Sequence, residues 1–258
     1  MIYELYNRES AAHIFNGWEE TIIWSCLQGV MGHIYADDKE NPNSAMAILG
    51  DFCFLAGKPS RDLIEFKPDW FNQDFIILVP QNNHWAEEIE KYYGTKAKKV
   101  VRYSMKKEQD IFNADKLNNV VKLLSSEYTI SVIDEKIFNY CKNENWCSDL
   151  VSQFPDFLTY KKLGLGIIIM KDDIPVSGAS SYSAYLGGIE IEIDTKMEYR
   201  RKGLATVCGA KLILECLERG LYPSWDAQNT WSVALAEKLG YHFNYAYNAY
   251  EVNCGCLL

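Results

Sequence analysis

A chain of 258 residues with 48% hydrophobic and 24% charged residues has the composition of a folded globular protein, which excludes a disordered or collagen-like chain. The formal net charge of −9 argues against nucleic-acid binding and against an anionic membrane surface, because both need a basic protein face. The longest apolar runs, residues 75–79 and 166–170, are far shorter than the roughly 20 residues of a membrane helix. With no secretion signal at the start, we expect a cytoplasmic protein. We expect it to be a monomer or a homodimer.

The cysteines and histidines show no metal-binding pattern. None of the eight cysteines forms a CxxC pair, and the four histidines lack the spacing of metal ligands. In the cytoplasm, cysteines stay reduced and usually fill the core. We therefore expect free thiols and no metal site.

The first half of the chain predicts a small α/β domain. Ile14, Trp18, Ile22 and Cys26 recur every four residues, which predicts one core-facing helix over 10–28. The further predicted elements are buried strands at 46–56 and 75–79, a helix at 84–93 ended by Gly94, and a strand at 98–105. The polar stretch 106–119 follows, and we place the domain boundary after it, giving domains 1–125 and 126–258.

The second half reads as a mixed α/β (α+β) domain. Its predicted elements, in order, are a strand at 128–132, helices at 135–149 and 152–162, a hairpin of strands 165–170 and 176–185, a strand at 189–195, a helix at 201–219, a strand at 221–227, a helix capped by Asn229 and ended by Gly240, and a strand at 241–252. Residues 189–195 alternate strictly, so three isoleucines share one face and Glu190, Glu192 and Asp194 share the other.

The loop between this strand and the long helix has the composition of an anion cradle. It reads Arg200-Arg-Lys-Gly-Leu-Ala205. A glycine in the first helical turn allows a ligand to approach the backbone closely. The unpaired N–H groups at a helix start, together with three cationic side chains, favour a diphosphate.

The region from Ile189 to Tyr241 resembles the GNAT superfamily of acetyl-CoA-dependent N-acetyltransferases. Arg200, Gly203 and Ala205 stand at the three defining positions of the family's pyrophosphate loop. The second family signature, an Asn-led helix ending in Lys-x-Gly-aromatic, is matched by Asn229, Ser232, Lys238, Gly240 and Tyr241. Residues 187–195 and 221–229 are more narrowly similar to the branch that includes the zwittermicin A resistance acetyltransferase.

This resemblance implies a fold and a way of holding acetyl-CoA. The fold is a mixed, mostly antiparallel sheet with splayed central strands and flanking helices. The N–H of Ile193 would meet the thioester carbonyl, and Thr195 would line the pantetheine arm. The diphosphate and the far side of the arm would be held by Arg200, Arg201, Lys202, Gly203, Leu204, Ala205, Asn229 and Ser232.

An attacking amine must lose a proton, so a carboxylate base is needed. Glu192 and Glu190 are the candidates on the strand, although polar-out alternation explains them equally well, and Asp226 is a third. The tyrosine that many family members use as general acid is replaced by Ala236. Ser232, Tyr245 and Tyr247 are possible substitutes, and unassisted thiolate departure is also chemically feasible.

Two features of the chain are left open by the sequence. Gln81-Asn82 and Glu90-Lys91 recur 147 residues later, which suits either a degenerate GNAT-like first half or chance. The acceptor region contains aromatic and acidic residues that suit either an amine pocket or core packing: Trp146, Asp149, Phe154, Asp156, Phe157, Tyr160 and Trp231.

The sequence thus predicts an acetyl-CoA-dependent N-acetyltransferase acting on a small amine, with an antibiotic among the candidate acceptors. The replacement at Ala236 leaves open a catalytically silent acyl-CoA-binding regulatory module. A tandem aminoacyl transferase using charged tRNA is a third reading, which would need the basic stretch 96–107 to bind RNA.

Overall fold

The computed structural model describes residues 1–253, which form two compact units. One unit consists of Met1–Arg102 and the segment from Ala246 onward, and the other is Tyr103–Tyr245. The division falls within two strands rather than at residue 125, and the predicted domain boundary stays a prediction. Cys254 and Cys256 lie outside the described residues.

The first unit contains a sheet whose strands follow chain order. Its elements are β1 (Tyr3–Glu4), a 3-10 helix (Arg8–Phe15), α1 (Thr21–Gln28), β2 (His33–Ala36), β3 (Ser44–Leu49), β4 (Phe52–Gly57), α2 (Arg61–Glu65), β5 (Phe75–Pro80), α3 (Asn83–Tyr93) and the start of β6 (Ala97–Met105). The order is β1-β2-β3-β4-β5, antiparallel except for the parallel pair β4 and β5. The end of β13 (Phe243–Asn253) adds antiparallel to β5.

Two predicted elements of this unit are wrong in the same way. The predicted helix over 10–28 is two helices, because Gly17 adopts a left-handed φ of 77° between them. The predicted strand over 46–56 is a hairpin of β3 and β4, and Gly50 turns the chain with a φ of 59°. Apolar spacing continues through both breaks, so periodicity alone does not reveal them.

The second unit contains a five-stranded sheet in the order β11-β10-β9-β8-β7. Its elements are the end of β6, α4 (Ala114–Lys122), β7 (Thr129–Val132), α5 (Glu135–Asn143), a 3-10 turn (Ser148–Leu150), α6 (Phe157–Leu163), β8 (Gly166–Lys171), β9 (Ile174–Tyr185), β10 (Gly188–Thr195), a 3-10 turn (Met197–Tyr199), α7 (Leu204–Glu218), β11 (Tyr222–Ser224), β12 (Asp226–Ala227), α8 (Thr230–Leu239) and the start of β13. Only the pair β10 and β11 is parallel.

The helices of this unit confirm the predicted positions better than the predicted lengths. The four-residue row Leu204, Cys208, Leu212 and Cys216 is buried along α7, as its spacing predicts. The two helices before β8 are shorter than predicted. α5 ends at Asn143, and α6 begins at Phe157, with the side chain of Asp156 as its N-terminal cap. The segment 114–122, predicted as part of a polar break, is the helix α4.

No helix among the described residues is both long and apolar enough to cross a bilayer. Over the same residues, no three His, Cys, Asp or Glu side chains are grouped to hold a metal ion. Six cysteines, at 26, 53, 141, 147, 208 and 216, are buried free thiols.

Candidate active site

The central feature of the second unit is the point where β10 and β11 separate. The two strands pair over only three residues, Gly188–Glu190 with Tyr222–Ser224. After Ser224 the chain continues into β12, which pairs with β6 instead. Within residues 1–253, Ile191–Thr195 therefore have β9 on one side and no paired strand on the other. This confirms the predicted splay and leaves a strand edge that an extended ligand can approach.

The main-chain groups of Ile193 and Thr195 face this open edge. The N–H of Lys196 donates to Val176 of β9 at 3.0 Å, so the main-chain groups of alternate residues, including Asp194, also face β9. Ile193 and Thr195 must then point the other way. The Thr195 carbonyl accepts a 3.0 Å hydrogen bond from Arg200 Nε, which agrees with this orientation.

The N–H of Ile193, expected at the thioester, has a partner inside the chain. It donates at 3.1 Å to Oε1 of Glu192. A thioester carbonyl that accepts from Ile193 must therefore displace this carboxylate. The Glu192 carboxylate thus competes with the thioester carbonyl for the Ile193 N–H, although the sequence predicted Glu192 as the base.

The Arg200–Ala205 loop has the geometry of an anion cradle. Gly203 caps α7 in the left-handed region, with φ 80°, and an added Cβ would have no heavy atom within 4 Å. Arg201 also has a positive φ, 62°. The first helical bond runs from the Val207 N–H to the Gly203 carbonyl, so the preceding N–H groups, at Leu204, Ala205 and Thr206, have no acceptor within the helix. Open space and aligned donors at one helix start suit a diphosphate.

The predicted cationic side chains are placed differently from one another. Arg200 reaches back to the strand edge through its bond to Thr195, while Lys202 lies 4.7 Å above the ring of Tyr199. The Thr195 hydroxyl contacts the Ser177 hydroxyl at 2.7 Å, so its side chain faces α7 and its main chain faces the edge. Main-chain N–H groups are therefore the principal donors of the loop.

The second predicted signature forms the start of α8. Asn229 Oδ1 accepts from the Ser232 N–H at 3.0 Å and so caps the helix. The Ser232 hydroxyl accepts from Trp225 Nε1, also at 3.0 Å, which leaves its own hydrogen to be donated. One turn later, Ala236 is fully buried, so the space beside it is closed to a tyrosine ring.

The acidic side chains of β10 lie on the face opposite α7. An added Cβ on Gly209 of α7 would lie 3.2 Å from Ile193 Cδ1, which places the isoleucines against that helix. Glu190 is buried and Glu192 is half-buried. Asp226 belongs to β12, where it pairs with Ser104 outside the five-stranded sheet.

Asp194 is the titratable residue that sequence reasoning missed. Burial, and next the nearby charge of Asp149, raise its pKa to about 6, although Arg200 acts in the opposite direction. The strict alternation of residues 189–195 places Asp194 on the same face as Glu190 and Glu192, and this pattern was sufficient to make Asp194 a further candidate base. Its electrostatic interaction with Asp149 depends on how the 148–150 turn packs, which the sequence does not show.

Two of the five predicted acceptor aromatics are core residues. Phe154 and Tyr160 are buried and pack edge to face, and the Tyr160 hydroxyl contacts Ser180 at 2.8 Å. Asp156 caps α6 through a bond from the Thr159 N–H, which lowers the pKa of its carboxyl. Trp231 is 85% exposed at the start of α8. Trp146 and Phe157 are half-buried, while Asp149 is exposed like Trp231, so these four side chains stay available to an acceptor in the way the sequence suggested.

Comparison with known proteins agrees with this geometry. A sequence model described as GNAT acetyltransferase matches residues 12–250. The uncharacterized N-acetyltransferase YdfB of Bacillus subtilis (strain 168) is 27% identical in an alignment of 247 residues that covers 89% of this chain and 89% of YdfB.

Solved structures show the same similarity. A GCN5-related N-acetyltransferase-like protein from Streptococcus suis 89/1591 has a TM-score of 0.89 and 46% identity, covering 95% of this chain and 98% of that one. A GCN5-related N-acetyltransferase from Kribbella flavida has a TM-score of 0.54 and 16% identity, covering 98% and 97%. The second likeness concerns the fold alone.

Proposed function

The chain belongs to the GNAT acetyltransferase family and has the GNAT fold, and from this premise we propose that it transfers the acetyl group of acetyl-CoA to a primary amine of a small molecule. The transfer is a direct attack in a ternary complex, and it takes place in the cytoplasm. The observation that carries the proposal is that one unit contains both an open strand edge and a helix start with no side-chain cap.

Acetyl-CoA fits the residues at this edge. The main-chain N–H groups of the loop hold the diphosphate, and Gly203 leaves room for it because no side chain occupies that space. The pantetheine arm lies along β10 as an added strand, bonded to Ile193 and Thr195. The start of α8, with Asn229 and Ser232, closes the far side of the arm.

The chemistry follows from charges that develop at the thioester. When the amine attacks, negative charge forms on the carbonyl oxygen, and the Ile193 N–H stabilises it after the Glu192 carboxylate has moved away. One hydrogen bond of this kind lowers the barrier by about 3–4 kcal/mol in comparable sites. A carboxylate on the acidic face of β10 takes the ammonium proton, and the sequence candidates are Glu192 and Glu190.

Ser232 assists departure of the thiolate. Because Trp225 donates to its oxygen, the hydroxyl is oriented with its hydrogen directed away from the indole. That hydrogen can bond the sulfur as negative charge collects there. The buried Ala236 rules out the family tyrosine, so a shorter donor one turn earlier on α8 takes this role.

The first unit is a degenerate copy of the GNAT half in this proposal. The first five strands, β1 to β5, follow chain order in their sheet, as β7 to β11 do in theirs, and in each set of five only the last two strands are parallel. Asn82 caps α3 by accepting from Trp85 N–H, as Asn229 caps α8 by accepting from Ser232 N–H. The connection from β4 to β5 has no Arg-x-x-Gly-x-Ala loop, so one acetyl-CoA binds per chain.

Release of free thiol from acetyl-CoA, measured against a panel of amines, tests the function. Amine-dependent release supports the enzyme, and mass spectrometry of the acetylated product identifies the acceptor. Tight acetyl-CoA binding without transfer to any amine would instead favour the silent acyl-CoA-binding module. Acetylation of zwittermicin-type aminopolyols would support the narrower branch that residues 187–195 and 221–229 suggest, together with a role in antibiotic resistance.

A further inference from the structure

We propose that Asp194 is the catalytic base that takes the proton from the acceptor ammonium, and that Asp149 is its positioning partner. This inference rests on the proposed acetyl transfer and assigns a residue that the sequence did not nominate. Asp194 belongs to the site already described, since it directly follows Ile193 on the open strand.

Position along β10 favours Asp194 over the sequence candidates. A strand advances about 3.3 Å per residue, so Glu190 lies roughly 10 Å from the Ile193 N–H, whereas Asp194 is the adjacent residue. Glu192 is also adjacent, but its carboxylate bonds the N–H that the thioester carbonyl needs. The Glu192 carboxylate must leave the Ile193 N–H when acetyl-CoA binds. It is therefore poorly placed to receive a proton from an amine at the thioester.

The surroundings of Asp194 give it the character of a base. Its partner across β9 is Gly178, which has no side chain, and an added Cβ there would lie 2.6 Å from Leu150 of the 148–150 turn. Leu150 therefore packs beside the strand position of Asp194, and the charge of Asp149, in the same turn, acts on the Asp194 carboxyl. Two neighbouring carboxylates resist simultaneous ionisation, which strengthens the affinity of one of them for a proton.

The other titratable and charged groups near Asp194 are few. Arg200 approaches from the loop after β10 and favours the ionised form. The buried thiol of Cys147 comes from the segment after α5, and it interacts in turn with the buried thiol of Cys141 within α5. The net result is a pKa for Asp194 of about 6, so the carboxylate is ionised at neutral pH and more basic than an ordinary aspartate.

The proposed step balances in protons and bonds. One N–H bond of the ammonium breaks, and its proton passes to Asp194, leaving a neutral amine. The amine nitrogen forms the C–N bond to the thioester carbon while the carbonyl electron pair moves to oxygen. The nitrogen is positively charged after this attack, and it releases a second proton to solvent. Return of the carbonyl pair breaks the C–S bond, and the departing thiolate takes the Ser232 hydrogen bond and then a proton from solvent. Asp194 returns its proton to solvent.

The test is the pH profile of kcat/KM for the full chain with acetyl-CoA and an amine found in the thiol-release screen. The wild type should lose activity below about pH 6. Asp194→Asn should lower kcat by roughly 10²–10⁴ and abolish this acid limb. Asp149→Asn should move this acid limb to lower pH, because the neighbouring charge that raises the pKa of Asp194 is gone. Asp172→Asn, in the exposed turn after β8, should match the wild type.

Three measurements keep the outcomes separate. Acetyl-CoA affinity by calorimetry shows that Asp194→Asn is folded and loaded, and Asp194→Glu, which restores a carboxylate, should recover part of the activity and an acid limb. No turnover by the wild type with any amine overturns the acetyl transfer, and the role of Asp194 with it. Two outcomes overturn the Asp194 assignment alone. One is turnover by Asp194→Asn with an unaltered acid limb in its pH profile. The other is loss of the acid limb in Glu192→Gln or Glu190→Gln instead.

Discussion

The indole N–H of Trp225 donates a 3.0 Å hydrogen bond to the hydroxyl oxygen of Ser232, and it does so from the residue where the strand after α7 is interrupted. The sequence predicts one strand over 221–227, but Trp225 separates β11 from β12, which pair with different strands. Trp225 is buried against Tyr241, so its position is fixed by core packing. The orientation of Ser232 therefore depends on the residue at which β10 and β11 part.

Ser232→Ala should lower kcat by about 10- to 100-fold, because a hydrogen bond to a charged group contributes roughly 1.5–3 kcal/mol. Acetyl-CoA affinity should change little, since the thiolate exists only after bond breaking. Stopped-flow detection of free thiol at saturating substrates measures the effect. Trp225→Phe keeps the hydroxyl but removes its orienting donor, so it should show a smaller loss of kcat. Full kcat in Ser232→Ala would mean that the thiolate leaves unassisted.

Gly203→Glu should abolish acetyl-CoA binding, because the side chain would enter the open space of the cradle and add negative charge at a diphosphate site. Titration calorimetry on the variant and the wild type measures both affinity and stoichiometry. We expect one site in the wild type and none in the variant. Residual binding at one equivalent would show that the first unit, or another surface, also holds acetyl-CoA.

Gly220→Glu is the matched control for that variant. Gly220 follows α7 at its other end, also has a positive φ, 66°, and an added Cβ there would likewise have no heavy atom within 4 Å. Both variants should therefore lose about 1–2 kcal/mol of stability to left-handed backbone strain. Only Gly203→Glu should lose acetyl-CoA affinity. Equal losses of affinity would attribute the effect to strain rather than to the cradle.

Glu192→Ala should strengthen acetyl-CoA binding several-fold, because the thioester carbonyl would no longer displace the carboxylate from the Ile193 N–H. Removing any nearby negative charge also favours a diphosphate, so Glu198→Gln is the control. Glu198 is exposed and pairs with Lys196, and it has no bond to Ile193. Calorimetry with acetyl-CoA and with coenzyme A measures the binding affinities. A gain in affinity confined to Glu192→Ala supports competition for the Ile193 N–H at the thioester. Equal gains would indicate charge alone.

Asp194→Asn should be more stable than the wild type at pH 8 by about 1–3 kcal/mol, with the difference falling towards zero near pH 4. The pKa of Asp194 in the folded state is about 6 and its ordinary value is 3.8, so the native state binds this proton more tightly than the unfolded state. The wild type therefore gains stability from this group as pH falls through 6 and loses it as pH rises. Urea denaturation at several pH values measures the difference. A difference independent of pH would contradict the buried position of Asp194.

Local chemistry explains what the sequence predicted correctly. Strict alternation over 189–195 gave β10 and its two faces, since side chains in a strand point alternately to opposite sides. Asn229 and Gly240 marked the ends of α8 because each satisfies backbone groups at a helix terminus. The same reasoning failed at Gly17 and Gly50, where apolar periodicity runs on through a turn.

The sequence by itself determined many of the elements, the glycine-containing loop before α7 and the family, because these depend on residues close together in the chain. Only the tertiary structure decided which groups lie together at the proposed reaction centre. Leu150 of the 148–150 turn packs beside Gly178 and the charge of Asp149 acts on the Asp194 carboxyl, and Trp225 reaches Ser232 because a strand breaks between two sheets. The pKa of a carboxyl and the direction of a hydroxyl depend on burial and on neighbours distant in sequence, which no local pattern specifies.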